Sequence, residues 1–286
     1  MLISSYDFYP YYPVIEHVTS WIEQKGTTQL SKKWQKSFVS FFAKDEHSTK
    51  RASLIGSGFL YMLDGKYPCI VTAAHVAHDL YKSSSPFFSI NGDIYPFQKV
   101  NVSYNDKQDY AIISFSEEMI ALEKNWIFFN SYERSLVNKT SSFVIMGYPA
   151  SKNKLHVDRS HKGLSFCNIT LHSFQYNKEN EDIYFWFDEK IKNKNIIFED
   201  ESILKSIPSL QGMSGSVIAQ IMEHKITGDF TLRAVGIFKE YKRTQKDKYL
   251  VGCTFVPFAD EINTYIRKYT WIRLISAISK KGGQLL

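Results

Sequence analysis

Cysteine is scarce in this chain of 286 residues. The three present, Cys69, Cys167 and Cys253, are odd in number and far apart, which argues against a disulfide framework, and no pair stands at metal-ligand spacing. Long apolar runs are lacking too: no stretch approaches the roughly 18 residues of a membrane-spanning helix. The opening, "MLISSYDFYPYYPVIEHV", has no basic start followed by an apolar run, so no secretory leader is expected and a reducing, cytoplasmic location is the simplest reading. Nor is charge of one sign concentrated anywhere. The net charge is +6, but the lysines are interleaved with acids. Even the densest group, "KEYKRTQKDK" (239–248), contains acids and reads as a solvated hairpin, so no nucleic-acid partner is expected.

What the chain has in quantity is aromatic residues, 15% of the total and mostly Phe and Tyr, set in short Val/Ile/Phe/Tyr runs that favour strands. "SFVSFFAK" (37–44), "GSGFLYML" (56–63) and "PCIVTAAHV" (68–76) read as strands, the last two joined by a turn at Asp64-Gly65. "DYAIISF" (109–115), "SSFVIMGYP" (141–149), "SGSVIAQI" (214–221), "LRAVGIFKEY" (232–241) and "KYLVGCTFVPF" (248–258) continue the pattern. Helices are expected only at the ends. One spans 13–25, with Pro13 at its first position and Val14, Ile15, Val18, Trp21 and Ile22 on one face. The other starts near residue 258 and places Ile262, Tyr265, Ile266 and Tyr269 together. Residues 188–206, polar and rich in Lys, Asn and Glu, read as a long surface insertion. The expected fold class is all-β, a barrel or sandwich in two halves of similar size.

Three local patterns carry chemistry. In "QGMSGSVI" (211–218), Ser214 follows Gly212 and precedes Gly215. A serine hydroxyl needs a nearby base to become a nucleophile, and acyl transfer needs backbone N–H groups aimed at the developing oxyanion. Gly212 suits the backbone turn that presents such groups. In "VTAAHVAHDL" (71–80) a strand ends in small residues and then His75. In "DYAII" an acid, Asp109, stands at the mouth of an apolar strand. Each alone is commonplace: a Gly/Ser loop, a strand-end histidine, a strand-entry turn. Together they occur in the order His, Asp, Ser, which is the order of chymotrypsin and not of subtilisin or the α/β-hydrolases. His75 and His78 share a helical face as metal ligands would, but no third ligand is evident, and no metal or cofactor is expected.

With those residues in view, the chain resembles the trypsin-like (chymotrypsin-fold) serine peptidases in their bacterial, disulfide-free form. "GSGFLY", "TAAHV", "DYAII", "MGYPA", "GMSGSVI", "AVGIF" and "GCTFVPF" match in the family's order across 56–258. The resemblance implies a double six-stranded β-barrel, placed over 37–266 with halves near 37–130 and 131–257 and then the C-terminal helix; the segments 1–36 and 267–286, expected to be helical from their own patterns, lie outside the match. It implies Ser214 as nucleophile, His75 as general base and acid, Asp109 as the orienter of His75, and an oxyanion hole from the N–H groups of Gly212 and Ser214. Where zymogen-type relatives have an Asp before the serine, this chain has Met213, so activation by a freshly cut N-terminus is not expected.

The pocket for the residue before the cleaved bond is expected between Pro208, Ser209 and Gln211 on one wall and Phe238, Lys239, Glu240 and Tyr241 on the other. Pro208 stands where trypsin has the Asp that selects Lys and Arg. An apolar or small residue is therefore expected there. The expected activity is that of a selective serine endopeptidase, its substrate a protein or peptide, its setting a bacterial defence or stress system, with a regulatory partner protein controlling it. The competing class is a module of the same fold that docks a peptide without cutting it.

Overall fold

The computed structural model describes residues 11–14, 27–45, 48–63, 67–115, 126–129, 141–151, 153, 155–156, 164, 166–172, 174–177, 179–187, 196–198, 209–244 and 247–255. The described strands are β1 (Tyr11–Pro13), β2 (Phe38–Asp45), β3 (Ser48–Leu63), β4 (Tyr67–Thr72), β5 (Pro86–Ile90), β6 (Asp93–Pro96), β7 (Asn101–Asn105), β8 (Tyr110–Ser114), β9 (Ser142–Gly147), β10 (Leu155–His156), β11 (Cys167–His172), β12 (Phe174–Asn177), β13 (Asp182–Trp186), β14 (Ile196–Phe198), β15 (Val217–His224), β16 (Phe230–Arg243) and β17 (Lys248–Thr254). The described α-helices are α1 (Thr27–Trp34) and α2 (Ala74–Lys82). They form two antiparallel sheets. One runs β6-β5-β2-β3-β4-β8-β7 with β10 on β3, and the other runs β12-β13-β17-β16-β15-β9-β11-β14 with β1 on β15. These are sheets of eight and nine strands rather than the expected six and six, and neither path closes on itself among the described residues.

The central strands β2, β3 and β4 of the first sheet bury both faces, so their alternation is between two apolar destinations. Val39, Phe41, Leu60, Ile70, Phe88 and Ile113 face a cluster inside the first sheet, which α2 joins through Val76 and Leu80. Phe38, Phe42, Phe59, Cys69 and Val71, one position out of step, face a seam shared with Val144, Met146, Val217 and Ile221 of the second sheet. The second sheet has its own cluster around Ile145, Ile169, Phe185, Ile218 and Val235. Aromatic rings fill the seam: Phe59 packs edge-on against Phe129 and Phe255, and Phe38 lies tilted against Phe166. Each such ring contributes roughly 1.5–3 kcal/mol by leaving water, which holds the two sheets together.

The N-terminal expectation needs correction. Pro13 does not begin a helix; it ends β1, which pairs with β15 in the register Tyr11↔His224 and Pro13↔Met222. Val14 then accepts from the Ser142 N–H at 2.9 Å and donates to the Ile221 carbonyl at 2.9 Å. Proline lacks a donor, and β1 is a short added strand where that loss is tolerated. Residues 15–25 of the expected helix lie outside the described residues, as do the Asp64-Gly65 turn, the C-terminal helix and most of 188–206. The helix that is described, α1, buries Leu30 and Trp34 in the seam, with the Trp34 ring stacked on Phe129 at 4.4 Å. Leu30 and Trp34, like Val14, are thus part of the core.

Candidate active site

α2 begins directly after β4 because Ala73 remains extended while Ala74, Val76, Ala77 and Leu80 turn one apolar face into the first sheet. That packing leaves His75 and His78 on the side facing the turn 106–109. Asp109 closes this turn with φ +54°, a left-handed conformation that Asp tolerates better than most side chains. Its carboxylate meets His75 through both oxygens: Nδ1 lies 3.0 Å from Oδ1 and 2.9 Å from Oδ2, and the His75 backbone N–H donates to Oδ1 at 3.1 Å. A second pair, His78 Nε2 to Asp106 Oδ1 at 2.6 Å, ties the same helix to the same turn one helical turn further on.

Nearly half of the His75 ring is exposed. Partial burial opposes its charge, but the Asp109 hydrogen bond and charge, with lesser help from Asp79 and Glu240, outweigh it and raise the His75 pKa above 6.5. A general base must be neutral. Turnover should therefore rise with pH through a midpoint above that value and level off beyond it, as read from kcat/KM between pH 5 and 9. A profile that is flat or falls through that range would remove His75 as the base. The sign for stability is opposite. With the folded pKa raised, the His75–Asp109 pair stabilises fully below the unfolded value and the contribution is lost as pH rises through the folded one.

The serine loop comes from the second sheet and is clamped against the first. The Ser57 N–H donates to the Ser214 carbonyl at 2.8 Å, and Ser57 Oγ donates to the Gly212 carbonyl at 2.7 Å while accepting the Tyr148 N–H at 3.0 Å. Thr72 Oγ1 in turn donates to the Ser57 carbonyl at 2.7 Å. The loop's other anchors are Met213 N–H to Leu210, Gly215 N–H to Phe238, Ser216 N–H to Met213, and the Ala150 N–H to the Gln211 carbonyl at 2.7 Å. The N–H groups of Gly212 and Ser214 are the exceptions; neither donates to any described residue. The Ser214 hydroxyl donates to the Lys239 carbonyl at 2.9 Å, not to His75.

Gly212 and Gly215 both have positive φ, +88° and +87°. A Cβ on Gly215 would collide with the Ser57 carbonyl and Thr72 Oγ1 and come within 2.9 Å of the Ala73 nitrogen, two residues before His75. Gly215→Ala combines backbone strain with overpacking, together about 3 kcal/mol. The melting midpoint should fall by roughly 6–12 °C, and a fall of under 2 °C would mean that the loop is not clamped in this way.

Of the pocket residues expected from the sequence, Pro208 lies outside the described residues. Ser209 and Gln211 are exposed. Phe238 is buried in an apolar cluster with Met213, against which Leu210 and Tyr241 pack, and Tyr241 also meets Phe187 edge-on at 6.0 Å. The Lys239 ammonium is taken by Asp182 at 3.1 Å, while Glu240 pairs with Lys242 at 2.9 Å. Sequence reasoning missed Ser57, whose signal was its place between two glycines in "GSGF". It also missed Asp182 and the His78–Asp106 pair, which no local pattern announces.

A comparison with family models finds no match, and a comparison with curated proteins finds none either. Among solved structures, the serine protease domain of the Sesbania mosaic virus polyprotein is similar at a TM-score of 0.43, with 14% identity over 87% of this chain and 96% of that one. The protein GrC gives a TM-score of 0.49 with 14% identity over 82% of this chain and 96% of its own. The MamO protease domain from Magnetospirillum magneticum gives 0.43 with 10% identity over 81% and 98%.

Proposed function

We propose that this chain is a serine endopeptidase of the trypsin-like class, with its peptidase domain over residues 37–266, acting through His75, Asp109 and Ser214. The carrying observation is the His75–Asp109 pair beside a clamped serine loop whose Gly212 and Ser214 N–H groups have no acceptor among the described residues. Neutral His75 takes the hydroxyl proton of Ser214 as its oxygen attacks the substrate carbonyl. The two N–H groups receive the oxyanion, and His75 then delivers the proton to the departing amine. Water reverses the sequence to free the acyl group.

Beyond Phe238, β16 pairs with β17 only, so among the described residues its other edge is unpaired, and an extended peptide can add there as a strand beside Ser214. The apolar cluster of Met213, Phe238, Leu210 and Tyr241 supports preference for an apolar or small residue before the cleaved bond. Three free, buried cysteines support a disulfide-free enzyme working in a reducing cytoplasm. The test is a fluorophosphonate probe followed by peptide mapping. Modification confined to Ser214 supports the assignment, and a folded protein that takes no label is instead the peptide-docking module.

A further inference from the structure

A hydroxyl has one proton, and in this structure Ser214 gives it to Lys239 rather than to His75. The acceptor is unusual. Along β16 and β17 the register runs Phe238↔Gly252 and then Glu240↔Val251, so Lys239 is the extra residue of a bulge and has no partner across the ladder. Bulges re-aim groups beside active sites; here the Lys239 carbonyl accepts from the Ser214 hydroxyl. The side chain of the same residue is fixed at its other end. Its ammonium lies 3.1 Å from Asp182 Oδ1, and both side chains are largely buried, at 14% and 7% exposure. Asp182 is itself held: Asn180 Nδ2 donates to its Oδ2 at 2.9 Å, the Tyr184 hydroxyl to the same oxygen at 3.3 Å, and its own N–H donates to Asn180 Oδ1 at 3.1 Å. The pair sits beside Cys253, whose Sγ lies 3.9 Å from Gln108 Oε1, next to Asp109.

We propose that Lys239, tethered by Asp182, is a positioning residue that holds the Ser214 hydroxyl off His75 until a peptide N–H, docking along the open edge of β16, takes the Lys239 carbonyl in its place. The proposal rests on the serine-peptidase reading of the same site. It makes the enzyme selective for extended peptides, which supply that N–H, over small acylating or phosphorylating agents, which do not. The carbonyl belongs to the backbone and cannot be removed by substitution, but its placement depends on the tether.

The experiment compares the rate of labelling by a small fluorophosphonate in wild type, Lys239→Arg, and the double variant Lys239→Met/Asp182→Asn, which leaves no buried charge unpaired. Melting midpoints are measured alongside. Release of the hydroxyl should speed labelling about five-fold in the double variant, the worth of one net hydrogen bond, while hydrolysis of peptide substrates does not rise. Lys239→Arg, which keeps the pair, should label more slowly than the double variant. A double variant that is folded yet labels at or below the wild-type rate overturns the proposal. If it does not fold, Asp182→Asn alone, which retains the Asn180 and Tyr184 contacts, is read by the same criterion. Wild type that takes no label at Ser214 is a different result, because it removes the peptidase reading itself.

Discussion

Ser214→Ala should abolish fluorophosphonate labelling and reduce peptide turnover by a factor on the order of 10⁶, with a melting midpoint close to wild type. The size of the loss follows from cooperation: without the nucleophile, the base and its orienter have nothing to activate. The survival of the fold follows from how little Ser214 Oγ does structurally. Its hydrogen bond is to the Lys239 carbonyl, and the clamp on the loop is made by backbone groups and by Ser57. Removing one half-buried hydroxyl costs about 1 kcal/mol, a small part of the stability of a domain this size. Full turnover by a folded Ser214→Ala protein would place the chemistry elsewhere, and loss of turnover together with loss of fold would leave the loop's structure, rather than its nucleophile, as the cause.

Asp109→Asn should give a folded protein slowed about 10⁴-fold, the typical cost of the wrong histidine tautomer. The geometry says why. Both carboxylate oxygens of Asp109 accept from His75, one of them also from its backbone N–H. With Asn, the amide oxygen can satisfy the backbone donor, and the amide NH₂ then faces Nδ1. Nδ1 becomes an acceptor, and the ring proton moves to Nε2, the nitrogen that must be free to receive from Ser214. Asn tolerates the φ of +54° as well as Asp does, so the turn 106–109 survives the exchange; Asp109→Ala would mix backbone strain with the chemical effect. Loss of the carboxylate also removes the main cause raising the His75 pKa, so the residual activity should titrate with a lower midpoint than wild type. An Asn variant with wild-type kcat/KM would separate Asp109 from the reaction.

The sequence made the strands legible where one run of apolar residues was bounded by turn residues, as in β8 and β9. It made the order of His75, Asp109 and Ser214 legible because each stands beside a strand end and a small residue. It could not show that the central strands of the first sheet, β2, β3 and β4, bury both faces, since a continuous apolar run looks the same whichever cluster its residues join. The helix expected at 13–25 failed at its start for a related reason. Val14 satisfies a helical face and a strand equally, and the choice at 11–14 was made by the free edge of β15 rather than by local preference. Ser57 and Asp182 act across 155 and 57 residues of chain, to Gly212 and Lys239. Such pairings are set by the packing of one sheet on another, and no window of sequence contains them.

The three free thiols give the folded chain a set of silent chemical clocks. Cys69 lies in β4 of the first sheet, Cys167 in β11 and Cys253 in β17 of the second, all three buried. Burial suppresses each thiolate, with Cys167 and Cys253 pushed up to about 12 and Cys69 higher still. An alkylating reagent therefore meets them only when the surrounding strands part. The order in which they become alkylated reports which sheet opens first, and Cys253, beside the Lys239–Asp182 pair, times the opening of the wall behind the serine loop.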